Sequence, residues 1–208
     1  AEAMSVKVVG GKPAEIRPAA RGVGTTVEVR DLFYATPARL KFLRSDRAET
    51  QALLDTLRRL AMAEPQVGFL LRDHSGGSPR VTLRADPCFG SVVDGLKARL
   101  AQILGKPFAE NAIAIDAERG GISLTGFAAL PTYSRGSAVA QYLFVNGRPV
   151  RDKLLIGALR AAYMDFLSRD RHPAAALFVE CPTDLVDGNV HPAKAEVRFR
   201  DPGVVRGL

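Results

Sequence analysis

The sequence predicts an α+β fold, in which a mixed or mainly antiparallel sheet is covered by helices on one face. Three observations support this prediction. Apolar residues recur at helical spacing over residues 46–62, 91–104 and 152–168. Shorter stretches between these helices alternate apolar and polar side chains, as half-buried strands do. Hydrophobic residues make up 47% of the 208 residues, which is enough to build a sizeable core.

The first part of the chain is predicted to contain four strands and one helix. The strands are residues 5–9, 25–30, 67–72 and 80–84. The helix at 46–62 is expected to begin with Asp46 as its N-cap and Glu49 three residues later, and to end before Pro65. Its apolar stripe is predicted to be Leu53, Leu57 and Leu60, with Arg58 and Arg59 facing away.

The pattern resets at Asp86–Pro87, which predicts a boundary between a domain at residues 1–86 and a domain at residues 87–208. In the second domain, Ser91 caps a helix that Gly105 stops, and a further helix follows at 152–168. The predicted strands of this domain are residues 111–116, 121–130, 141–146, 174–180 and 196–200.

Composition and charge narrow the classes of function. The 29 Lys and Arg residues exceed the 22 Asp and Glu residues, so the net charge of +7 permits a polyanionic partner such as nucleic acid. Cys88 and Cys181 lie far apart and are expected to be reduced thiols of a cytoplasmic protein. No apolar run reaches the roughly 18 residues of a membrane span.

The usual catalytic motifs are missing from the sequence. It contains no plausible Ser-His-Asp set, no Cys-His pair at a convincing spacing, no zinc cluster and no phosphate-binding loop that ends in Lys-Ser or Lys-Thr. From its residues alone, the chain is therefore not expected to be a self-sufficient enzyme, and no metal ligands are predicted.

A tight polar loop near the C-terminus offers one candidate site residue. Residues 187–195 run directly into the alternating strand at 196–200, and Pro192 restricts the backbone before Lys194. A stiff loop anchored by a strand suits a lysine that must meet a fixed anion. The alternative is a solvated lysine on a turn, because exposed lysines are the rule.

Two further groups of polar residues are candidates. Gly24 and Thr25 open a predicted strand and offer close backbone approach and a hydroxyl group, although from the residues alone a plain turn into a strand is the favoured interpretation. Arg148, Arg151 and Lys153 surround the start of the helix at 152. The helix macrodipole disfavours cations there, which weakens the alternative of a simple solvated helix start and leaves it balanced against contact with nucleic-acid phosphates.

Three blocks of sequence, in this order, resemble the signatures of the MutL family of DNA mismatch repair proteins. They are GTTVEVRDLFYATPARLKFL at residues 24–43, FVNGRPVRD at 144–152 and NVHPAKAEVRF at 189–199. The resemblance covers nearly the whole chain. One departure is Ala35, where the family usually has Asn, so the chain lacks a side-chain amide at that position.

The resemblance implies the fold of each domain. Residues 1–86 would be the C-terminal part of a GHKL (Bergerat) ATPase α/β sandwich, and residues 87–208 a transducer domain like domain 2 of ribosomal protein S5. The family's catalytic glutamate helix, adenine site and ATP lid would lie upstream of this chain. We therefore expect the chain by itself to be inactive as an ATPase and to bind no cofactor.

The resemblance also implies roles for the candidate residues. Lys194 matches the family lysine that reaches the γ-phosphate, and Gly24 and Thr25 match part of the nucleotide site. Arg148, Arg151 and Lys153 fall in a block associated with DNA contact.

The implied ligands and partners of the intact protein are ATP with Mg²⁺, DNA, mismatch-recognition and downstream repair proteins, and a second copy in a homodimer, with no membrane partner. Two alternatives remain. One is a non-enzymatic nucleic-acid-binding module with an S5-like fold. The other is a topoisomerase-type transducer, which would carry Gln-Thr-Lys where this chain has Pro192-Ala193-Lys194.

Overall fold

A computed structural model describes residues 3–188 and 195–208 of the chain. The chain divides into two compact units, Ala1–Gln51 and Ala52–Leu208, and one helix, α1 (Asp46–Ala63), runs from the first into the second. Residues 52–86 are thus grouped with the C-terminal part of the chain. The domain boundary expected at Asp86–Pro87 stays a prediction.

The first unit is built from short strands and turns. Its strands are β1 (Ala3–Ser5), β2 (Val8–Val9), β3 (Lys12–Pro13) and β4 (Arg17–Ala19). Strand β1 pairs with β4, and β2 pairs with β3 around a Gly10-Gly11 turn whose φ angles are positive. The single strand predicted at 5–9 is therefore divided between two pairings.

The strand predicted at residues 25–30 is absent from the described structure. Val27 and Val29, which carry the alternating pattern, are exposed. Alternation builds a strand only where a neighbouring strand satisfies the backbone hydrogen bonds, and no described strand pairs with this segment. A 3₁₀ helix follows at Pro37–Phe42 and begins at a proline, which is favoured in the first turn of a helix.

Helix α1 is capped one residue earlier than predicted. Ser45 Oγ lies 3.4 Å from the Ala48 amide, and Glu49 Oε1 accepts a hydrogen bond of 3.0 Å from the Arg44 amide. Asp46 is the first helical residue, where its carboxylate favours the positive end of the helix dipole. Glu49 therefore takes part in capping as predicted, but with different partners.

The buried face of α1 differs from the predicted stripe. Leu53 and Leu60 are exposed, whereas the buried residues are Leu54, Ala61 and Met62. Arg59, predicted to face away, has a side chain that is only 13% exposed. Its guanidinium lies 4.9 Å from the centre of the Tyr142 ring and pairs with a carboxylate, so a charged residue can occupy the packed side of the helix.

The second unit contains the remaining elements. The longer strands are β5 (Phe69–Asp73), β6 (Arg80–Ala85), β7 (Ala112–Arg119), β8 (Ile122–Ala129), β10 (Gln141–Val145), β11 (Arg148–Val150) and β13 (Ala175–Glu180). The two-residue strands are β9 (Ser134–Arg135), β12 (His172–Pro173), β14 (Val186–Asp187) and β15 (Arg198–Phe199). The helices are α2 (Val92–Leu104), α3 (Lys106–Glu110), α4 (Lys153–Ala162) and α5 (Pro202–Arg206).

A five-stranded sheet in the order β11-β10-β13-β8-β7 forms the centre of this unit. Strands β10 and β13 are parallel, and the other neighbours are antiparallel, so the sheet is mixed as predicted. Strands β5 and β6 form a separate hairpin, β9 pairs with β12, and β14 pairs with β15.

Helices cover both faces of this sheet, so the prediction of helices on one face was wrong. Leu100 of α2 and Phe108 of α3 pack with Phe144 on one side. Leu155 and Leu159 of α4 pack on the other side, in a cluster with Leu143, Val145, Leu177, Val179 and Val205. The inner strands β10 and β13 are almost uninterruptedly apolar, which is typical of strands buried on both faces.

The ends of α2 and α4 show which helix boundaries the local sequence predicts correctly. Ser91 caps α2 by accepting a hydrogen bond of 3.1 Å from the Asp94 amide, and Gly105 ends the helix with φ +94°, both as predicted. Helix α4 ends at Ala162, earlier than predicted, and the Tyr163 hydroxyl after it donates to the Ala129 carbonyl of β8. Among the residues that the structure describes, every helix is too short or too polar to cross a membrane.

Candidate functional site

Residues 146–153, which we call the turn before α4, present two of the predicted cations, Arg148 and Lys153. Asn146 (φ +48°) and Gly147 (φ +74°) form the β10–β11 turn. The Asn146 side chain exchanges two hydrogen bonds of 2.9 Å with the backbone of Cys181, which fixes the turn against the end of β13. Arg148 begins β11 and is exposed. These hydrogen bonds therefore hold in place the backbone that carries the exposed Arg148 side chain.

Asp152 fixes the first turn of α4. Its buried carboxylate accepts hydrogen bonds from the amides of Leu154 (2.9 Å) and Leu155 (3.1 Å). This cap satisfies two of the unpaired helix donors. Lys153 is consequently held, exposed, as the first residue of the helix.

Arg151 points to a partner within the chain. Its Nη2 lies 2.6 Å from Asp55 Oδ2 on α1, and Arg59 Nε binds the same oxygen at 3.0 Å. Burial by itself raises the pKa of Asp55, but the hydrogen bonds and charges of Arg59 and Arg151 outweigh it and leave the pKa below its ordinary value. DNA contact by Arg151 stays a prediction, and the Arg151 guanidinium is already paired with the Asp55 carboxylate.

The ion pair lies beside a buried aromatic residue of the sheet. Tyr142 of β10 stacks under Arg59, and burial, followed by the charge of Asp55, raises the pKa of its hydroxyl. The arrangement anchors α1 to the sheet and to the start of α4. Sequence reasoning missed it because Asp55 and Arg151 lie far apart in the chain, and only the four-residue spacing of Asp55 and Arg59 hinted at a pair.

Lys194 lies outside the described residues, so its predicted role stays a prediction. The flanking parts of its loop are described. Strands β14 and β15 pair Val186 with Phe199, and the Ala195 carbonyl accepts a hydrogen bond of 2.7 Å from the Arg151 amide. The residue next to Lys194 is thus held against the basic turn before α4.

Gly24 and Thr25 lie in the first unit, and both are exposed. Gly24 has φ +127°, a conformation that residues with a Cβ atom rarely adopt. A Cβ atom at this position would lie 3.5 Å from Arg21 Nη2. Contact of Gly24 and Thr25 with a nucleotide stays a prediction. No cluster of three or more His, Cys, Asp or Glu side chains that could hold a metal occurs in the described ranges.

Another set of cations lies around the C-terminal end of α4, and sequence reasoning missed it. Arg171 donates to Ser134 twice, from Nε to Oγ (2.9 Å) and from Nη2 to the carbonyl (2.8 Å). Arg160 donates to the Arg169 carbonyl at 3.1 Å. Arg135 lies 4.6 Å from the centre of the Tyr133 ring and donates to its hydroxyl. We call Arg135, Arg160, Arg169 and Arg171 the arginine cluster.

Two open depressions in the second unit have volumes of about 420 and 510 Å³. The first is lined by Gly120, Ile122, Leu185, Arg200, Asp201 and Val204. Neither is lined by a described residue that the sequence singled out as a site. The candidate groups of this chain are surface groups.

Known proteins resemble the chain at two levels: a family model matches its C-terminal part, and curated relatives match nearly its whole length. Residues 100–208 match the family model described as "DNA mismatch repair protein, C-terminal domain". The chain is 57% identical over 203 residues to the DNA mismatch repair protein MutL of Chelativorans sp. (strain BNC1), covering 98% of this chain and 32% of that protein. It is 60% identical over 210 residues to MutL of Phenylobacterium zucineum (strain HLK1), with 100% and 33% covered. The chain spans about a third of the length of these curated relatives.

Two solved structures have a similar fold. The Aquifex aeolicus MutL ATPase domain complexed with ADP aligns with a TM-score of 0.65 at 29% identity, over 87% of this chain and 62% of that one. The N-terminal domain of a DNA repair protein aligns with a TM-score of 0.79 at 20% identity, over 99% and 64% of the two chains. At that identity, the second likeness speaks for the fold alone.

Proposed function

Since the chain belongs to the DNA mismatch repair protein family that includes MutL, we propose that it is part of a protein of this type which couples ATP binding and hydrolysis to dimerisation and DNA contact. Residues 1–86 form the C-terminal part of its GHKL ATPase domain, and residues 87–208 form its S5-like transducer domain. The intact protein acts in the cytoplasm with mismatch-recognition and downstream repair proteins.

The observation that carries this proposal is the hydrogen bond between the Arg151 amide and the Ala195 carbonyl. It joins the block at 144–152 to the block that contains Lys194. Arg151 also pairs with Asp55 of α1, the helix that follows the block at 24–43. A change at the Lys194 loop can therefore be transmitted to the start of α4 and to α1 through contacts that involve one residue.

Lys194, Gly24 and Thr25 have different roles in the proposed ATP site. Lys194 stabilises negative charge at the γ-phosphate, a role that suits a compact ammonium group. Gly24 and Thr25 offer backbone and hydroxyl contacts to the nucleotide. ATP with Mg²⁺, when bound to the intact protein, supplies the phosphoryl group that is transferred to water. Contact between Lys194 and the γ-phosphate makes the position of the loop depend on the nucleotide.

The proposed DNA contact uses the exposed cations of the turn before α4. Arg148 and Lys153 are exposed, and the Asn146 and Asp152 side chains hold the backbone that carries them. Groups fixed in this way lose less conformational entropy on meeting phosphates than groups on a mobile loop. A second copy in the homodimer would present the same groups again.

Replacement of Lys194 tests the ATPase role. In the full-length protein, Lys194→Ala is expected to lower ATP turnover by about 10- to 1000-fold, the scale seen when one group that stabilises the transition state is removed. Lys97→Ala, at an exposed position on α2, is the matched control and should leave turnover unchanged. Equal turnover of the Lys194→Ala variant and the unmodified protein, in a steady-state phosphate-release assay, would refute the γ-phosphate role.

A further inference from the structure

One exposed face of α4 carries a cation near each end of the helix. Lys153, Gly157 and Arg160 are all exposed and are separated by four and three residues, so they lie on the same side of the helix. Lys153 and Arg160 are seven residues apart, which corresponds to about 10 Å along the axis. An added Cβ at Gly157 would meet no heavy atom within 4 Å, so the helix backbone between the two cations is open to close approach.

The arginine cluster continues this face past the end of α4. Arg160 is hydrogen-bonded to the Arg169 carbonyl, and Arg171 is hydrogen-bonded to Ser134, the neighbour of Arg135. Strands β9 and β12 hold these segments together, since Arg135 is paired with His172. The four residues of the cluster are therefore linked by contacts that the fold itself makes.

Hydrogen bonds hold three guanidinium groups of the cluster, those of Arg135, Arg160 and Arg171. Among the described residues, none of its four arginines forms an ion pair within 4 Å, although the pKa of Asp170 is lowered by a hydrogen bond with Ser168 and, to a smaller extent, by the charge of Arg171. Arg171 uses Nε and one Nη group to bind Ser134, and Arg135 uses one Nη group to bind Tyr133. Since a guanidinium has five N–H donors, each of these retains donors for another partner.

This combination favours a phosphate polymer as the partner. The planar guanidinium fork matches phosphate, and a side chain already held by the protein loses less entropy when it binds. The groups are exposed, and the contacts described above hold the segments that carry them next to one another, an arrangement suited to an extended polyanion. Resting on the proposed function, we propose that the arginine cluster binds duplex DNA phosphates and extends the DNA path from Lys153 along α4.

Salt-dependent binding tests this extension. In the full-length protein, the double variant Arg135→Gln/Arg160→Gln is compared with the unmodified protein by fluorescence anisotropy on a labelled duplex. Loss of two phosphate contacts should weaken binding about tenfold or more at low salt and reduce the slope of log K against log salt by about two. Arg135→Lys/Arg160→Lys keeps both charges and should keep most of the slope.

Arg119 offers a matched control. It is exposed and donates one hydrogen bond of 3.0 Å to the Gly207 carbonyl, as Arg160 does to Arg169, but it lies outside the cluster. Arg119→Gln should leave the affinity and the slope unchanged. If circular dichroism shows that the double variant is unfolded, Arg160→Gln alone should reduce the slope by about one.

Lys153→Glu separates this inference from the proposed function. If Lys153→Glu weakens DNA binding while the folded glutamine variants bind as the unmodified protein does, the extension is refuted and the proposed contact at the turn before α4 stands. If none of these variants alters binding, both fail. Unchanged DNA binding together with lost binding of a poly-glutamate peptide would assign the cluster to an acidic protein partner and also refute the proposal.

Discussion

Two groups of arginines in the unit at residues 52–208 differ in what satisfies their guanidinium groups. The interior pair consists of Arg59 and Arg99. Arg59 meets a carboxylate and an aromatic ring, and fully buried Arg99 donates to the carbonyls of Pro65 (2.7 Å), Val67 (2.6 Å) and Asp86 (3.2 Å). The arginine cluster also meets hydroxyls, carbonyls and a ring, but its side chains are exposed and keep N–H donors at the surface.

The difference shows that charge count and available charge are separate quantities. The net charge of +7 includes both groups equally. In the interior pair, Arg59 Nε and Arg99 Nη2 hold α1 and the β5–β6 hairpin against the rest of the unit, so these side chains serve stability, while Arg59 Nη1 and Arg99 Nε and Nη1 are buried without a partner among the described residues. The cluster leaves donors exposed, so its charges can serve binding. Substitutions in the interior pair should therefore mainly lower the free energy of unfolding, whereas substitutions in the cluster should mainly weaken binding.

The largest effect on stability is expected at Arg99. Arg99→Ala leaves three backbone carbonyls without their donor and opens a cavity in the packed interior, and should lower the free energy of unfolding by about 3–5 kcal/mol. Urea denaturation followed by circular dichroism measures it. Arg84→Ala removes an exposed arginine paired with Asp86 and should cost less than about 1 kcal/mol. Similar losses for the two variants would remove the distinction between interior and surface arginines.

A smaller effect is expected at Asp55. Asp55→Asn removes the shared counter-charge of Arg59 and Arg151, and should lower the free energy of unfolding by about 1–3 kcal/mol because the Arg59 side chain is mostly buried. Arg151→Gln should cost less, since its side chain is 66% exposed. The same urea titration gives both values. If Arg151→Gln were the more damaging of the two, the interior role of Arg59 would be contradicted.

The smallest effect is a dependence on pH. The pKa of Asp55 is lowered in the folded chain, so its contribution is fully present above the unfolded value, about 3.9, and is lost as the pH falls through the folded value. The stability difference between the unmodified chain and Asp55→Asn should therefore be constant near neutral pH and shrink below about pH 4. Other carboxylates cancel in this difference. If the difference in stability grew on acidification, the pKa of Asp55 could not be lowered in the folded chain.

Much of the second unit could be predicted from local sequence. Ser91 and Gly105 bound α2 as expected, and the β5–β6 hairpin and four of the five strands of the mixed sheet lie close to their predicted positions. Strand β11 was not predicted, and the strand expected at 196–200 is limited to Arg198–Phe199. The family resemblance at three blocks is confirmed by the match at residues 100–208 and by the MutL relatives. Caps, turns and apolar periodicity act over a few residues, which is why the sequence alone reveals them.

Other parts could not be predicted, because they depend on distant partners. The strand pattern at 25–30 forms no strand without a neighbour, and the buried face of α1 was displaced because Arg59 packs on Tyr142. Of the candidate site residues, Arg148 and Lys153 lie together at the start of α4, whereas Gly24 and Thr25 belong to the other unit and Lys194 lies outside the described residues.

The sequence by itself determined the fold class, the family and the positions of the candidate cations. Only the tertiary structure decided which cations are neutralised. Arg151 and Arg160 are both exposed arginines of one region, yet Asp55, 96 residues away, binds the first. An arginine's ion pairs depend on which chain segments the fold brings within about 4 Å, and sequence spacing reports that only along a single helix or hairpin.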